Sequence, residues 1–131
     1  MKDKDALDSR ERAISCALFA LEKKALDVRV LEIGRLSSIA DYLVLASGTS
    51  DKQTQAIADS VKKGLKKYGK ALDVEGLREG TWIVIDYGDV IVHIFHEDLR
   101  RYYNLDELWS QAAQLAIPAE YLWEGNEESQ G

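Results

Sequence analysis

The stretch Trp82-Ile83-Val84-Ile85-Asp86-Tyr87-Gly88-Asp89-Val90-Ile91-Val92-His93-Ile94-Phe95 decides how this chain folds. Two runs rich in β-branched residues, Thr81 to Asp86 and Asp89 to Phe95, flank Tyr87-Gly88 and read as a β-hairpin. Side chains alternate between faces with period two. One face therefore carries Ile83, Ile85, Val90, Val92 and Ile94, all aliphatic and fit only for a core. The other carries Trp82, Val84, Asp86, Asp89, Ile91, His93 and Phe95, a mixture of apolar and polar groups. A two-residue turn at Tyr87-Gly88 sets Val84 opposite Ile91 and Trp82 opposite His93. It also sets Asp86 and Asp89 against each other. Facing carboxylates repel unless a cation joins them. Arg100 or Arg101 could provide that cation, as could a Lys or Arg of a partner, and solvated turn acids are the plainer alternative. Trp82 is either a core residue or an interface anchor, a role that favours Trp and Tyr.

Working outward, an amphipathic helix spans about Asp5 to Lys24, with Ile14, Leu18, Leu21 and Ala25 as its apolar stripe. Leu26 to Ile33 alternates as a strand. Tyr42-Leu43-Val44-Leu45-Ala46 is an unbroken apolar run, as in a strand covered on both faces. Ser50 with Gln53 forms a capping box for a second helix. Ile57, Val61, Leu65 and Tyr68 supply its buried stripe, and Gly69 ends it in a left-handed conformation. Ala71 to Glu75 is a short strand, Glu97 to Tyr103 a charged helical turn. Asn104 with Glu107 starts a last helix with Leu105, Leu108, Trp109 and Ala112 on its stripe, stopped by Pro118. Helices interleaved with strands, one pair joined by a tight hairpin, give an α/β fold with a mixed sheet. We expect a single domain over residues 1–123, followed by a disordered acidic tail at 124–131.

The composition restricts the partners. The 131 residues carry a net charge of −6, with 46% hydrophobic and 31% charged residues and one Pro. A disordered or Pro-rich chain is excluded. Three tail acids, Glu124, Glu127 and Glu128, account for half of the net charge. An acidic body is poorly suited to gripping phosphate backbones and better suited to a basic protein, and direct DNA binding is not expected. No apolar run approaches the ~20 residues of a bilayer span. Met1-Lys2-Asp3-Lys4-Asp5 is not a signal-peptide start, so a cytoplasmic location is expected. Cys16 is the only cysteine, which rules out an intrachain disulfide and a thiolate zinc cluster, and it reads as a packing thiol. His93 and His96 stand an odd interval apart on one strand and face opposite ways, against a shared metal. Gly48-Thr49-Ser50-Asp51 resembles a nucleotidyl-transfer start at a strand-to-helix junction. However, Gln53 stands where a second metal-binding acid would be needed. No catalytic residue, metal or cofactor is expected.

Three blocks resemble the ribosomal silencing factor (Iojap-related) family. They are Asp41 to Ser50 with Ala56-Ile57-Ala58-Asp59; Glu75-Gly76 with Trp82 to His93 and Glu97; and Arg100-Arg101-Tyr102-Tyr103-Asn104-Leu105-Asp106-Glu107-Leu108-Trp109. Together they cover roughly residues 10 to 110. The resemblance implies a nucleotidyltransferase-like mixed sheet without catalytic acids. It implies binding to the large ribosomal subunit through its basic protein number fourteen, on the face where the small subunit docks. Joining is thereby blocked when nutrients are scarce. It further implies a homodimer away from the ribosome, or a role in large-subunit assembly using the same surface. Under it, Trp82, Asp86, Tyr87, Asp89, His93, Glu97, Arg101 and Tyr103 bind the partner. Asp106 departs from the Glu usual in the family, a minor change on an exposed helix start. Residues 111–131 receive no role.

Overall fold

The computed structural model describes residues 6–122. Asp5 and the acidic segment 124–131 lie outside the described residues. Helix α1 (Ser9–Glu22) starts at Asp8, whose carboxylate accepts from the Glu11 amide while the Glu11 side chain accepts from the Asp8 amide. This reciprocal cap satisfies two otherwise orphaned donors. The buried face of α1 differs from the expected stripe: Ala13, Cys16, Ala17, Ala20 and Leu21 are buried, while Ile14 and Leu18 are only half-buried. Small residues let the helix lie close to its neighbour, and that proximity outweighs the larger aliphatic stripe. Chain direction then reverses into β1 (Leu26–Glu32) and β2 (Tyr42–Gly48). Every residue of β2 is buried, as its apolar run requires.

Helix α2 (Asp51–Leu65) begins at Ser50, whose hydroxyl accepts from the Gln53 amide at 3.1 Å. The Gln53 side chain does not complete the expected box. Its oxygen accepts from the Thr49 amide and its nitrogen donates to the carbonyls of Lys23 and Lys24, tying down the end of α1. Ile57, Val61 and Leu65 are buried as expected. Gly64 faces the Phe19 ring of α1 so closely that a Cβ there would stand 2.5 Å from it. After a 3-10 turn at Lys66–Tyr68 come β3 (Asp73–Glu75), β4 (Trp82–Asp86) and β5 (Val90–His96). They lead into α3 (Glu97–Tyr103) and the single-turn α4 (Leu105–Leu108). The expected last helix stops there, with Leu108 70% exposed. Instead the chain adds β6 (Ala113–Leu115) to the edge of β1, and Ile117 is buried behind it. Residues 113–117, given no role from sequence, thus complete the sheet.

The six strands lie in the order β3-β4-β5-β2-β1-β6. β2 and β5 run parallel and the remaining pairs antiparallel, so the sheet is mixed and the fold is α/β. Helices α1 and α2 cover one face, including Val44, Ile83, Ile85, Val90, Val92 and Ile94. On the other face Leu31, Leu43, Leu45 and Phe95 form a second cluster with Leu99, Leu105 and Trp109 of the α3–α4 side. No helix among the described residues is long and apolar enough to cross a membrane.

The hairpin register differs from the expected one. The Tyr87 amide donates to the Val90 carbonyl at 2.9 Å, so the two-residue loop is Gly88-Asp89. Gly88 takes a φ of +89°, which favours glycine at the first central position of such a loop. Val84 therefore pairs with His93 and Trp82 with Phe95. The shift is two residues, and a period of two preserves both strand faces.

Candidate functional site

Cross-strand pairing arranges the second sheet face in rows, because directly opposed residues point the same way. From the β3 edge inward, one row runs Asp73, Asp86, Ile91 and Leu43. The next runs Glu75, Val84, His93 and Leu45, and the third pairs Trp82 with Phe95. Burial follows the rows. Asp73 and Glu75 are exposed, Asp86, Val84, Trp82, Ile91 and His93 are half-buried, and Leu43, Leu45 and Phe95 are sealed. The face thus grades from an acidic rim through a partly open apolar middle into the core.

Trp82 organises the middle. Its indole N–H donates to His93 Nδ1 at 3.0 Å. Its ring lies 5.1 Å from Phe95 and 4.7 Å from Tyr103, with Tyr102 set edge-on to Tyr103 at 5.0 Å. Tyr102 and Tyr103 remain 78% and 47% exposed. Burial lowers the His93 pKa to about 4, so the imidazole is neutral near pH 7. With Nδ1 accepting from the indole, the proton of the neutral ring belongs on Nε2. The cluster is an uncharged aromatic platform with an acidic rim.

A buried ion network fixes the helix that carries the tyrosines. Arg100, only 5% exposed, donates to Ser47 Oγ at 2.8 Å and bidentately to Asp106 at 2.8 and 3.0 Å. Asp27 lies 3.4 Å from the same guanidinium, and Arg29 lies 3.4 Å from Asp106. Desolvation pushes the Asp106 pKa up, but its bond to Arg100 and the charges of Arg100 and Arg29 outweigh this and hold it below the usual range. Asp106 is therefore part of the support of the platform and not an exposed helix start. Ser47, the polar residue that follows the apolar run of β2 and is buried with it, was the sequence signal for this buried partner.

The structure separates the residues expected to act together. Trp82, His93 and Tyr103 meet on the platform. Asp86 shares their face at the other end of β4, where its Oδ1 accepts from the Gly88 amide at 2.7 Å. Glu97 opens α3 half-buried, and Arg101 is exposed and paired with Asp98 at 3.2 Å. Asp89 and Tyr87 turn to the opposite side, against α1. The Asp89 carboxylate lies 3.1–3.3 Å from Arg12 Nε, and the Arg12 guanidinium sits 5.7 Å over the Tyr87 ring. The facing acids are therefore Asp73 and Asp86, not Asp86 and Asp89, and Arg12 supplies the Asp89 cation in place of Arg100 or Arg101. Among the described residues neither Asp73 nor Asp86 has a salt-bridge partner. Sequence reasoning missed the rim acids Asp73 and Glu75, which pairing of β3 with β4 would have exposed.

His96 caps α3, accepting from the Asp98 amide, and no three His, Cys, Asp or Glu side chains converge among the described residues. At the Gly48–Asp51 junction Thr54 hydrogen-bonds the Gly80 carbonyl, and a Cβ on Gly80 would stand 3.0 Å from Asp51. A neighbouring turn thus occupies that junction. Cys16 is fully buried, which pushes its thiol pKa up.

A family model described as ribosomal silencing factor during starvation matches residues 6–130. The ribosomal silencing factor RsfS of Bacillus subtilis is 44% identical over 92 residues, covering 70% of this chain and 78% of the relative. That of Halalkalibacterium halodurans is 42% identical over 111 residues, covering 83% and 95%. A mouse protein named for mitochondrial assembly of the ribosomal large subunit is 26% identical over 114 residues, covering 77% of this chain and 50% of its own. A crystal structure of a Chromobacterium violaceum protein superposes with a TM-score of 0.77 at 26% identity, covering 95% and 100%.

Proposed function

The chain belongs to the ribosomal silencing factor family, and from that premise we propose that it represses translation by binding the large ribosomal subunit. The contact is to the subunit's basic protein number fourteen, and occupying that site blocks the approach of the small subunit when nutrients are limiting. The action is exclusion in the cytoplasm, with no bond made or broken. The observation that carries this reading is the second sheet face: an indole platform at one end of β4 and two opposed, uncompensated carboxylates, Asp73 and Asp86, at the other. A cationic partner supplies the charge the rim lacks, and Trp82 with Tyr103 supplies apolar anchors of the kind that dominate interfaces. His93 and Glu97 flank the anchor, and Arg101 lies at its outer edge. Tyr87 and Asp89 act only through the shape of the turn.

Sedimentation with purified subunits tests this. The protein should travel with free large subunits and be absent from joined ribosomes. Asp86→Lys should weaken that association while the fold is retained. Co-migration with small subunits alone would refute the reading. The name of the mouse relative favours a second use of the same face, in large-subunit assembly. Accumulation of immature large subunits in deletion cells during rich growth would favour assembly over silencing.

A further inference from the structure

The opposite side of the molecule carries the reverse charge. Between 62 and 70 the chain places Lys62, Lys63, Lys66, Lys67 and Lys70, with no acid among them. Lys62, Lys63, Lys66 and Lys70 line a groove of about 360 Å³ that has Ala71, Val74 and Tyr87 among its walls. Lys63 is paired with Asp59, also on the groove, at 2.9 Å. Among the described residues Lys62, Lys66, Lys67 and Lys70 have no salt-bridge partner. Lysines in a last helical turn complement the helix dipole. That explains Lys62, Lys63, the C-cap Lys66 and Lys67 of the 3-10 turn that continues α2, but not Lys70, which lies beyond it. Strand β3 divides the two charge surfaces: Val74 turns to the groove while Asp73 and Glu75 belong to the acidic rim.

We propose that this groove holds the phosphate backbone of a single-stranded RNA segment. Lys62 and Lys66 stand one turn apart, roughly 6 Å along the axis, and Lys70 follows after the 3-10 turn. Strongly hydrated ammonium groups in a row suit successive phosphates as point charges. Small-molecule sites instead use a few convergent polar groups in an enclosing pocket. The lining lysines follow one another along the chain from Lys62 to Lys70, so a chain-like polyanion fits the groove better than a compact one. Tyr87 walls the groove with the Arg12 guanidinium over its ring, so the contacts offered are to phosphates and not to bases. The choice of RNA over DNA rests on the ribosome reading; affinity for a phosphate strand does not.

The test is fluorescence anisotropy of a labelled 12-nucleotide RNA with the full chain, from 50 to 200 mM salt. Neutralising three phosphates predicts that log affinity falls with log salt at a slope of about −2. The triple variant Lys62→Gln, Lys66→Gln, Lys70→Gln should lose at least roughly tenfold at the low end of that range, consistent with removing those contacts. The matching triple Arg variant should retain binding. Absence of binding at 50 mM salt, a Gln variant as tight as the parent, or polyglutamate displacing RNA with equal potency would each overturn the proposal. Sedimentation of the parent with large subunits is read separately. Retained sedimentation without RNA binding removes this inference alone, whereas lost sedimentation removes the ribosome reading.

Discussion

Asp73 and Asp86 stand directly opposite each other at the rim, an arrangement that costs the free protein stability. Asp73→Asn should therefore stabilise the isolated chain by about 0.2–1 kcal/mol in thermal or urea melts, the range for a cross-strand pair. The same change should weaken large-subunit binding. A variant that loses stability, or gains it without losing affinity, would show that the pair is not held for a partner. Asp89 is the contrasting case. Asp89→Lys sets a cation against Arg12 at a half-buried site and should lower stability by more than Asp86→Lys, which removes the acceptor of the Gly88 amide but relieves Asp73. His93 supplies a pH signature. Its native pKa of about 4 lies below the unfolded value, so between the two the unfolded chain binds the extra proton and stability rises with pH. On acidification from about 6.5 toward 4 stability should fall by up to roughly 1.4 kcal/mol per pH unit. NMR of the His93 ring should show it neutral at pH 5.5, and a midpoint near 6.5 would dissolve the buried Trp82–His93 contact.

Elements differ in how plainly the sequence announced them. The apolar run of β2, the Ser50 cap of α2 and the faces of the hairpin were legible because each depends on contacts near in sequence. The hairpin register was not, since it turns on whether Asp86 or Tyr87 closes the loop, and only the Gly88 dihedral decides that. β6 was illegible for another reason: three residues become a strand only because β1 offers an unpaired edge. The orientation of α1 depended on how closely α2 approaches it, a property of the pair and of neither helix alone. Of the site, Trp82 and His93 were placed on one face correctly, whereas the support of α3 was hidden in a network joining residues far apart in the chain. Arg100→Met should make that support visible. Removing the cation leaves Asp106 and Asp27 held by Arg29 alone and should cost about 1.5–3 kcal/mol, the range for hydrogen bonds to charged groups. Because the native Asp106 pKa is depressed, the pair's contribution is complete above the ordinary aspartate range and fades as pH falls through the native value. The penalty measured by denaturation should shrink in acid, and a pH-independent penalty would assign it to lost packing.

At the scale of the whole molecule, the sheet separates two charge surfaces: an acidic aromatic face on the α3 side and a lysine groove on the α2 side. Steric exclusion, the function proposed for the aromatic face, acts through occupancy. Occupancy has a quantitative consequence. A ligand shifts an equilibrium only by its differential affinity for the two states, here free and joined large subunits. Inhibition of joining should then track binding. In a light-scattering assay with large subunits well below the dissociation constant, half-inhibition should fall at the factor concentration that half-saturates large subunits alone. Raising the small-subunit concentration should shift that midpoint upward, as competition requires. An enzyme modifying the subunit would instead act at substoichiometric amounts, and its effect would persist after the protein is washed away. Inhibition at one factor per many subunits, or joined ribosomes that retain the factor, would defeat steric exclusion whatever the affinity of the platform.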